Sequence, residues 1–218
     1  MNAWYLVVAA AALSLERICY LWVWHRPEAF RRFCSKPRVA ALGEPIDVLC
    51  KLFYGFKCLQ VTVFFGWCHV YGHGSLFPPA REMVWIGMGG TLMLIGQLLN
   101  FSVFHRLGKI GVFYGNKFGY SIPWCDTFPF SLLSHPQYVG AVITIWGFFI
   151  ATRFPFEDWY VLPVLQTAYY LLGMYLEGPR AFSIGSSSRR IAQLISRAMS
   201  LSHRHNLFRS RAGGTGVG

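Results

Sequence analysis

Five long apolar stretches constrain what this chain can fold into more than any other feature of its sequence. An apolar run of about 20 residues is long enough to cross the hydrocarbon core of a bilayer as a helix. A helix also satisfies its own backbone hydrogen bonds where no water is present. The sequence therefore predicts an all-α fold, a polytopic membrane helix bundle of four to five transmembrane helices. The stretches are residues 3–24, 48–71, 83–104, 137–152 and 159–177.

The composition also indicates a membrane protein with one integral domain. Of the 218 residues, 54% are hydrophobic and only 13% are charged, whereas an ordinary soluble domain has roughly 25% charged residues. The fourth stretch is short for a span, and Glu16 and Arg17 interrupt the first. Two arrangements stay open: five spans, or four spans with the first stretch lying in the membrane interface.

Basic residues are distributed unevenly among the connections between the stretches. Residues 25–45 carry five Lys or Arg, residues 72–82 carry one and residues 105–136 carry three. Cytosolic loops of membrane proteins are enriched in Lys and Arg. We therefore expect a lumenal N-terminus, with the 105–136 connection and the C-terminus both in the cytosol.

The last part of the chain differs in composition from the rest. Residues 178–218 contain seven arginines, no lysine and no acid, in a chain whose net charge is +11. We interpret residues 1–177 as an integral membrane domain and residues 178–218 as a basic cytosolic tail, either disordered or helical on the membrane surface. Contact with anionic lipid headgroups is the expected role of such a tail, and a nucleic-acid partner is not expected.

Neither a metal site nor a cleaved signal peptide is expected. The six cysteines show no CxxC pair, the spacing that zinc sites use, and we interpret them as reduced thiols. The N-terminus lacks the basic region with which a signal peptide begins. The first apolar stretch is therefore expected to remain in the protein.

Small and polar residues share one face of the third stretch. Gly89, Gly96 and Asn100 recur at spacings of seven and four, and Gln97 follows Gly90 at a spacing of seven. Small residues allow two membrane helices to approach closely, and amides can hydrogen-bond between them. Polar groups at membrane depth also often line a site. The stripe alone leaves both interpretations open, helix packing and a ligand cleft.

A row of glycines follows in the 105–136 connection. Gly108, Gly111, Gly115 and Gly119 recur every three or four residues. On a helix this row would form a smooth face for packing or for a ligand. The prolines that come next break any helix.

The next helix is predicted to begin at Ser134-His135-Pro136. Proline is favoured in the first helical turn, which makes His135 the cap residue. The N–H groups of such a turn are a ready site for an anion such as a carboxylate. Imidazole is also the side chain best suited to accept a proton near neutral pH. A lone histidine before a proline can equally be structural.

Glu177 ends the last apolar stretch. A carboxylate at the C-terminus of a helix opposes the helix dipole, and an acid at a membrane boundary is costly. Its presence indicates either a ligand or an ion pair with Arg180.

Four sequence blocks occur in one order along the chain. They are Gly96-Gln97-Leu98-Leu99-Asn100, residues 107–115 (LGKIGVFYG), residues 122–130 (IPWCDTFPF) and residues 135–140 (HPQYVG), and a helix ending in Leu-Glu follows them. In this combination the chain resembles the phospholipid methyltransferase family, in particular its plant-type members, over residues 94–177.

The resemblance implies an activity and a cofactor. The family transfers a methyl group from S-adenosylmethionine to the amino headgroup of a phospholipid. The expected substrates are phosphatidylethanolamine and its mono- and dimethylated intermediates, on the way to phosphatidylcholine. The expected setting is the endoplasmic reticulum membrane, with the lipid substrate held in the bilayer and the active face toward the cytosol. The resemblance says nothing about oligomeric state.

The resemblance also implies which residues bind the cofactor. The chemistry of the side chains adds His135 as the expected catalytic base. The cofactor motif of the third helix falls on Leu94-Ile95-Gly96, so that only its second glycine is present. A further Gly-x-Gly lies one heptad earlier, at Gly87-Met88-Gly89. Including neighbouring motif positions, the expected cofactor-binding residues are Leu94, Ile95, Gly96, Gln97, Asn100, Tyr138, Gly140 and Glu177.

One position departs from the family pattern. The family ends its last helix with two acids, whereas here Glu177 is followed by Gly178. This departure keeps two alternatives open. One is a non-catalytic relative with an altered C-terminus, and the other is a carboxyl methyltransferase of the same fold that acts on prenylated cysteine.

Overall fold

The computed structural model describes residues 3–73, 82–122 and 125–177. The chain divides into two compact units, Met1–Leu176 and Glu177–Gly218. All but Glu177 of the second unit lies outside the described residues, including the predicted basic tail, Gly178 and Arg180.

The described part of the chain consists of helices and connecting turns, with no β-strand in it. The helices are α1 (Ala3–His25), α2 (Pro27–Cys34), α3 (Pro37–Ala40), α4 (Pro45–Tyr71), α5 (Met83–Val112), the 3₁₀-helix Gly115–Phe118, α6 (Pro136–Thr152) and α7 (161–177). Two short helices, α2 and α3, connect α1 to α4, and a single turn of 3₁₀-helix follows α5.

Each predicted apolar stretch corresponds to one of the five long helices, α1, α4, α5, α6 and α7. Three of these, α1, α4 and α5, are long and apolar enough to cross a membrane. Helix α6 has 17 residues, which is about 26 Å at 1.5 Å per residue and slightly less than the roughly 30 Å of hydrocarbon. The predicted all-α membrane bundle is confirmed, and how many of the five helices cross the bilayer stays a prediction.

Helix α4 begins at a well-defined N-terminus. Pro45 occupies the first helical turn, and the backbone N–H of Glu44 donates to the Asp47 carboxylate at 3.0 Å. Asp47 also forms an ion pair with Lys109 near the end of α5. The start of α4 is thereby joined to the end of α5.

Two clusters of buried apolar side chains lie at opposite ends of α1 and α4. The first contains Tyr20 and Val23 of α1 and Leu49 of α4, together with residues of α2 and of the 3₁₀ turn. The second contains Leu13 of α1 and Phe64 of α4, together with residues of α6 and α7. Between the two clusters, α1 and α4 carry polar and charged side chains.

The glycine row of the 105–136 connection does not form one helical face, so that interpretation was wrong. Gly108 interrupts the helical backbone at φ 61° and ψ −176°, and Gly119 has φ 89°. Only glycine adopts such positive φ values without steric strain. Gly115 lies in the separate 3₁₀ turn. These glycines bend the chain at the end of α5.

A buried ion pair anchors the connection between α6 and α7. Arg153 donates through Nε to Asp158 Oδ2 at 2.8 Å and through Nη2 to Asp158 Oδ1 at 2.6 Å. Trp67 Nε1 donates to the same carboxylate, and Arg153 also donates to the carbonyl of Tyr71. This network ties the end of α4 to the α6–α7 connection.

Cys34 of α2 is buried in the first apolar cluster. Burial raises the pKa of its thiol above the usual value, because a thiolate is disfavoured away from water. Cys34 is therefore a packing residue and stays protonated.

Candidate active site

His135 caps α6, as its place before Pro136 predicts. Its backbone has φ −133° and ψ 63°, and its side chain makes no capping hydrogen bond. The N–H groups of Tyr138 and Val139 both donate to the His135 carbonyl at 3.1 Å, and Pro136 has no N–H. The turn therefore offers fewer amide donors to an anion than the sequence suggested. The imidazole is half-buried, and its role as the base stays a prediction.

Tyr138 connects His135 to the helices behind α6. The imidazole lies nearly parallel to the Tyr138 ring, with centroids 6.0 Å apart and an interplanar angle of 14°. The Tyr138 ring meets Tyr170 of α7 edge to face at 5.6 Å. It also lies 5.6 Å from the guanidinium carbon of Arg17 on α1. One tyrosine thus contacts α1, α7 and the predicted base.

The glycine stripe of α5 packs directly against α6. A side-chain carbon on Gly96 would collide with Thr144 Oγ1 and with the carbonyl oxygen of Gly140. A carbon on Gly140 would lie 2.7 Å from the Gly96 carbonyl oxygen and 2.9 Å from Asn100 Oδ1. Gly89 meets Gly147 in the same way two turns away. The structure therefore shows helix packing at Gly96 and Gly140, and their role in binding a cofactor stays a prediction.

The remaining α5 residues of the predicted cofactor motif differ in their exposure. Leu94 and Ile95 are 74% and 46% exposed, so they lie on the outer surface of α5 and only their backbone is near the glycine contact. Gln97 is exposed but reaches α6, where its Nε2 donates to Thr144 Oγ1 at 3.3 Å. Thr144 in turn donates to the Gly140 carbonyl at 2.9 Å.

Asn100 is the residue of this set that has an unmet hydrogen-bonding requirement. Its Oδ1 atom is buried and has no hydrogen-bond partner, although it lies beside Gly140. A buried acceptor without a partner costs about 1–3 kcal/mol. Gly140 is five residues from His135, about 7.5 Å along the axis of α6. The orphaned oxygen thus lies in the same part of the bundle as the start of α6.

Glu177 is the last described residue of α7 and the first residue of the second compact unit. Its side chain is buried. Its predicted role in cofactor binding stays a prediction.

A charged cluster that was not predicted from the sequence lies between α1, α4 and α7. Glu16 forms ion pairs with Arg17 at 2.9 Å and with Lys57 at 3.0 Å. Lys57 Nζ also donates to Gln60 Oε1 at 3.1 Å and to the Tyr170 hydroxyl at 3.3 Å. Charged residues within apolar helices are rare and usually functional. The positions of Glu16, Arg17 and Lys57 inside two predicted spans were the signal that could have identified this cluster.

Two comparisons with known proteins identify the family. A sequence model of the family described as phospholipid methyltransferase matches residues 84–181. The chain is also 30% identical over 171 residues to phosphatidyl-N-methylethanolamine N-methyltransferase from Arabidopsis thaliana. That alignment covers 78% of this chain and 91% of the relative.

The chain belongs to the phospholipid methyltransferase family. It is therefore an enzyme, and the predicted relationship to the plant-type members is confirmed. The family match includes α5, α6 and α7 and begins after α4, so the charged residues of α1 and α4 lie outside it. No solved structure matches this chain. Among the described residues, no group of three or more His, Cys, Asp or Glu could hold a metal ion.

Proposed function

We propose that this enzyme transfers methyl groups from S-adenosylmethionine to the amino nitrogen of phosphatidylethanolamine-type lipids, producing mono- and dimethylated intermediates and phosphatidylcholine. The observation that carries the proposal is the position of His135. His135 caps the start of α6, one of the helices that the family model matches. Its imidazole is half-buried and packs on Tyr138. The name of the Arabidopsis thaliana relative, with 91% of its length aligned, supports the same substrate class.

The residues around the α5–α6 contact fit the proposed methyl donor. The amino acid portion of this donor carries an ammonium group and its ribose carries hydroxyls, all of which can donate hydrogen bonds. The orphaned Oδ1 of Asn100 is an acceptor that lacks a donor. Asn100, Gln97 and Tyr138 would hold the donor with side-chain groups, and Gly96, Gly140, Leu94 and Ile95 with backbone. When bound, the donor supplies a sulfonium-linked methyl group for direct displacement by nitrogen.

His135 has the chemistry to prepare the lipid amine. At neutral pH the amine is an ammonium ion, which has no lone pair with which to attack the methyl carbon. The imidazole accepts one proton from nitrogen and later releases it to water, which leaves the neutral amine as the nucleophile. Such general-base catalysis contributes about 10²–10⁴-fold. Holding the reacting groups in line can contribute a further ~7–11 kcal/mol.

The lipid chains are expected to remain in the bilayer during the reaction. Helix α5 presents an apolar outer face on which Leu94, Leu98 and Phe101 are 74%, 59% and 70% exposed. The headgroup then approaches His135 from the side that carries α2, the side rich in basic residues. By the distribution of Lys and Arg this side is cytosolic, and we place the enzyme in the endoplasmic reticulum membrane.

A reconstituted assay tests the proposal. The full chain in lipid nanodiscs receives the isotope-labelled methyl donor and, in separate reactions, phosphatidylethanolamine, its monomethyl form, its dimethyl form or a prenylated cysteine peptide. We expect label in the phospholipids and none in the peptide. Label in the peptide alone would assign the chain to the carboxyl methyltransferases of the same fold, and label in no substrate would contradict the proposed activity.

A further inference from the structure

A layer of charged and polar side chains separates the two apolar clusters of the bundle. On α1, Glu16 and Arg17 lie between Leu13 of one cluster and Tyr20 of the other. On α4, Lys57 and Gln60 lie between Leu49 and Phe64. Both helices are candidate membrane spans, and a charge is costly at this depth unless it serves a purpose.

The layer has an excess of positive charge and of hydrogen-bond donors. Two cations, Arg17 and Lys57, share the single carboxylate of Glu16. Two buried donors of the layer have no hydrogen-bond partner, Arg17 Nε and Gln60 Nε2. Both residues are 8% exposed. An anionic oxygen group would neutralise the excess positive charge and accept hydrogen bonds from these donors.

The other buried ion pair of the described chain shows what a purely structural pair looks like here. Arg153 and Asp158 have opposite charges in equal number, and Arg153 donates from both Nε and Nη2. Neither residue has an unpartnered buried side-chain atom. The layer of α1 and α4 differs in both respects, because it has an unbalanced charge and unmet donors.

Arg17 links this layer to the candidate active site. Its guanidinium carbon lies 4.2 Å from the centroid of the Tyr170 ring and 5.6 Å from that of Tyr138. Tyr138 stacks on His135 and lies three residues further along α6, about one helical turn. In a phospholipid headgroup the phosphate is separated from the amine by two carbon atoms. A phosphate held at Arg17 would therefore place its amine beside the Tyr138 ring, on which His135 stacks.

We propose that Arg17 and Lys57 form a buried subsite for an anionic oxygen group of a ligand whose reacting end lies at His135. The group is either the phosphodiester of the lipid substrate or the carboxylate of the methyl donor, which share this chemistry. The inference rests on the proposed function. Lys57, whose side chain is 30% exposed, lies at the accessible edge of the subsite, and Arg17, whose side chain is 9% exposed, lies at its base.

The kinetic test compares Arg17→Gln, Lys57→Gln and the control Arg32→Gln, which removes an exposed cation of α2. A hydrogen bond between charged groups corresponds to about ten- to hundredfold in affinity. We expect Arg17→Gln to raise the KM for the ligand that carries the anionic group by roughly that factor. The kcat of this variant should stay within a few-fold of the wild-type value. Lys57→Gln changes the same KM less, and Arg32→Gln changes nothing.

The ligand whose KM rises identifies the source of the anion. A higher KM for the lipid assigns the phosphodiester, and a higher KM for the methyl donor assigns the carboxylate. Unchanged KM values for both ligands in Arg17→Gln and Lys57→Gln would overturn the proposal.

A double variant separates binding from folding. Arg17→Gln leaves Glu16 paired with Lys57 alone, and Glu16→Gln combined with Arg17→Gln removes both members of the Glu16–Arg17 pair. If Arg17 only neutralises Glu16, its neighbour on α1, the double variant recovers a normal KM, which would overturn the proposal. If Arg17 binds the anion, the KM stays raised in the double variant and falls partway back in Arg17→Lys.

A binding measurement keeps the test independent of turnover. The melting temperature of the purified full chain is measured with short-chain phosphatidyl-N-methylethanolamine, with diacylglycerol and with S-adenosylhomocysteine. Stabilisation of the wild type by the phospholipid or by S-adenosylhomocysteine, lost in Arg17→Gln, supports the subsite even if the wild type methylates no lipid. Equal shifts in wild type and Arg17→Gln, or no shift in either, would overturn it. An inactive wild type that nevertheless shows the difference would contradict only the proposed function.

Discussion

At His135, the backbone and the side chain have separate roles. The backbone begins α6 together with Pro136, and the side chain is not used for capping. The imidazole instead lies nearly parallel to the Tyr138 ring, with the ring centroids 6.0 Å apart. The sequence predicted the helix start and the candidate base, but the ring partner requires the fold.

Replacing His135 with asparagine should abolish most of the activity without unfolding the protein. Asparagine is a favourable cap residue, so α6 keeps its start while the base is lost. We expect kcat to fall by about 10²–10⁴-fold, with the melting temperature close to that of the wild type. The measurement is the initial rate of label transfer into lipid, with Ser134→Ala, at an exposed neighbour, as the control. A rate above one tenth of the wild-type rate would remove His135 as the base.

A substitution at Asn100 distinguishes a role in binding the methyl donor from a role in helix packing. Its buried oxygen has no partner, so Asn100→Ala removes an unmet acceptor and should not lower the melting temperature. If this oxygen accepts a hydrogen bond from the methyl donor, the KM for that donor should rise about tenfold. The control is Ser102→Ala, at a half-buried position of the same helix. A lower melting temperature with an unchanged KM would show that Asn100 acts in packing alone.

Among helices α1 to α6, α5 and α6 form the most extensive contact. Glycines at Gly89, Gly96, Gly140 and Gly147 bring the two backbones together. The spacing of small residues along α5 made this contact predictable, because seven residues correspond to two helical turns on one face.

Two glycine substitutions on α5 should have opposite consequences. Gly96→Ala places a carbon against backbone atoms of α6 that cannot move aside, and we expect a loss of about 1–3 kcal/mol in stability. Gly90→Ala meets nothing within 4 Å and should be neutral or slightly stabilising, because alanine favours helices over glycine. Thermal unfolding of the two variants in detergent makes the comparison. Equal melting temperatures would contradict the close contact.

Local patterns predicted the elements better than they predicted which elements meet. Apolar length located the five long helices, and proline placed the start of α6. The pairing of Glu16 with Lys57 joins residues 41 positions apart, which no local pattern records. The prediction of one helical face for the glycine row of the 105–136 connection was wrong for a different reason. Glycine spacing is compatible both with a smooth helical face and with a chain bend, and the positive φ of Gly108 decides between them.

For the molecule as a whole, the charged residues suggest an orientation in the membrane. Helices α2 and α3 occupy the basic connection between α1 and α4, and the connection between α6 and α7 is short and contains Arg153, Glu157 and Asp158. The excess of Lys and Arg in the first connection predicts that it faces the cytosol.

Cysteine labelling tests this orientation. Arg32→Cys and Glu157→Cys, both at exposed positions, are introduced separately into a variant without the native cysteines. In sealed microsomes, an impermeant maleimide should label position 32 at once and position 157 only after the membrane is opened. The reverse pattern would show that the protein has the opposite orientation. Immediate labelling of both positions would contradict a net crossing of the membrane between positions 32 and 157.

The most direct test of the whole account is the lipid composition of cells that cannot methylate phosphatidylethanolamine. Such cells express the full chain and receive methionine with a deuterated methyl group, and their lipids are analysed by mass spectrometry. The account predicts phosphatidylcholine and dimethylated intermediates carrying deuterated methyl groups, and their absence in cells expressing His135→Asn. Equal amounts of protein with no labelled methyl group on any ethanolamine lipid would contradict it.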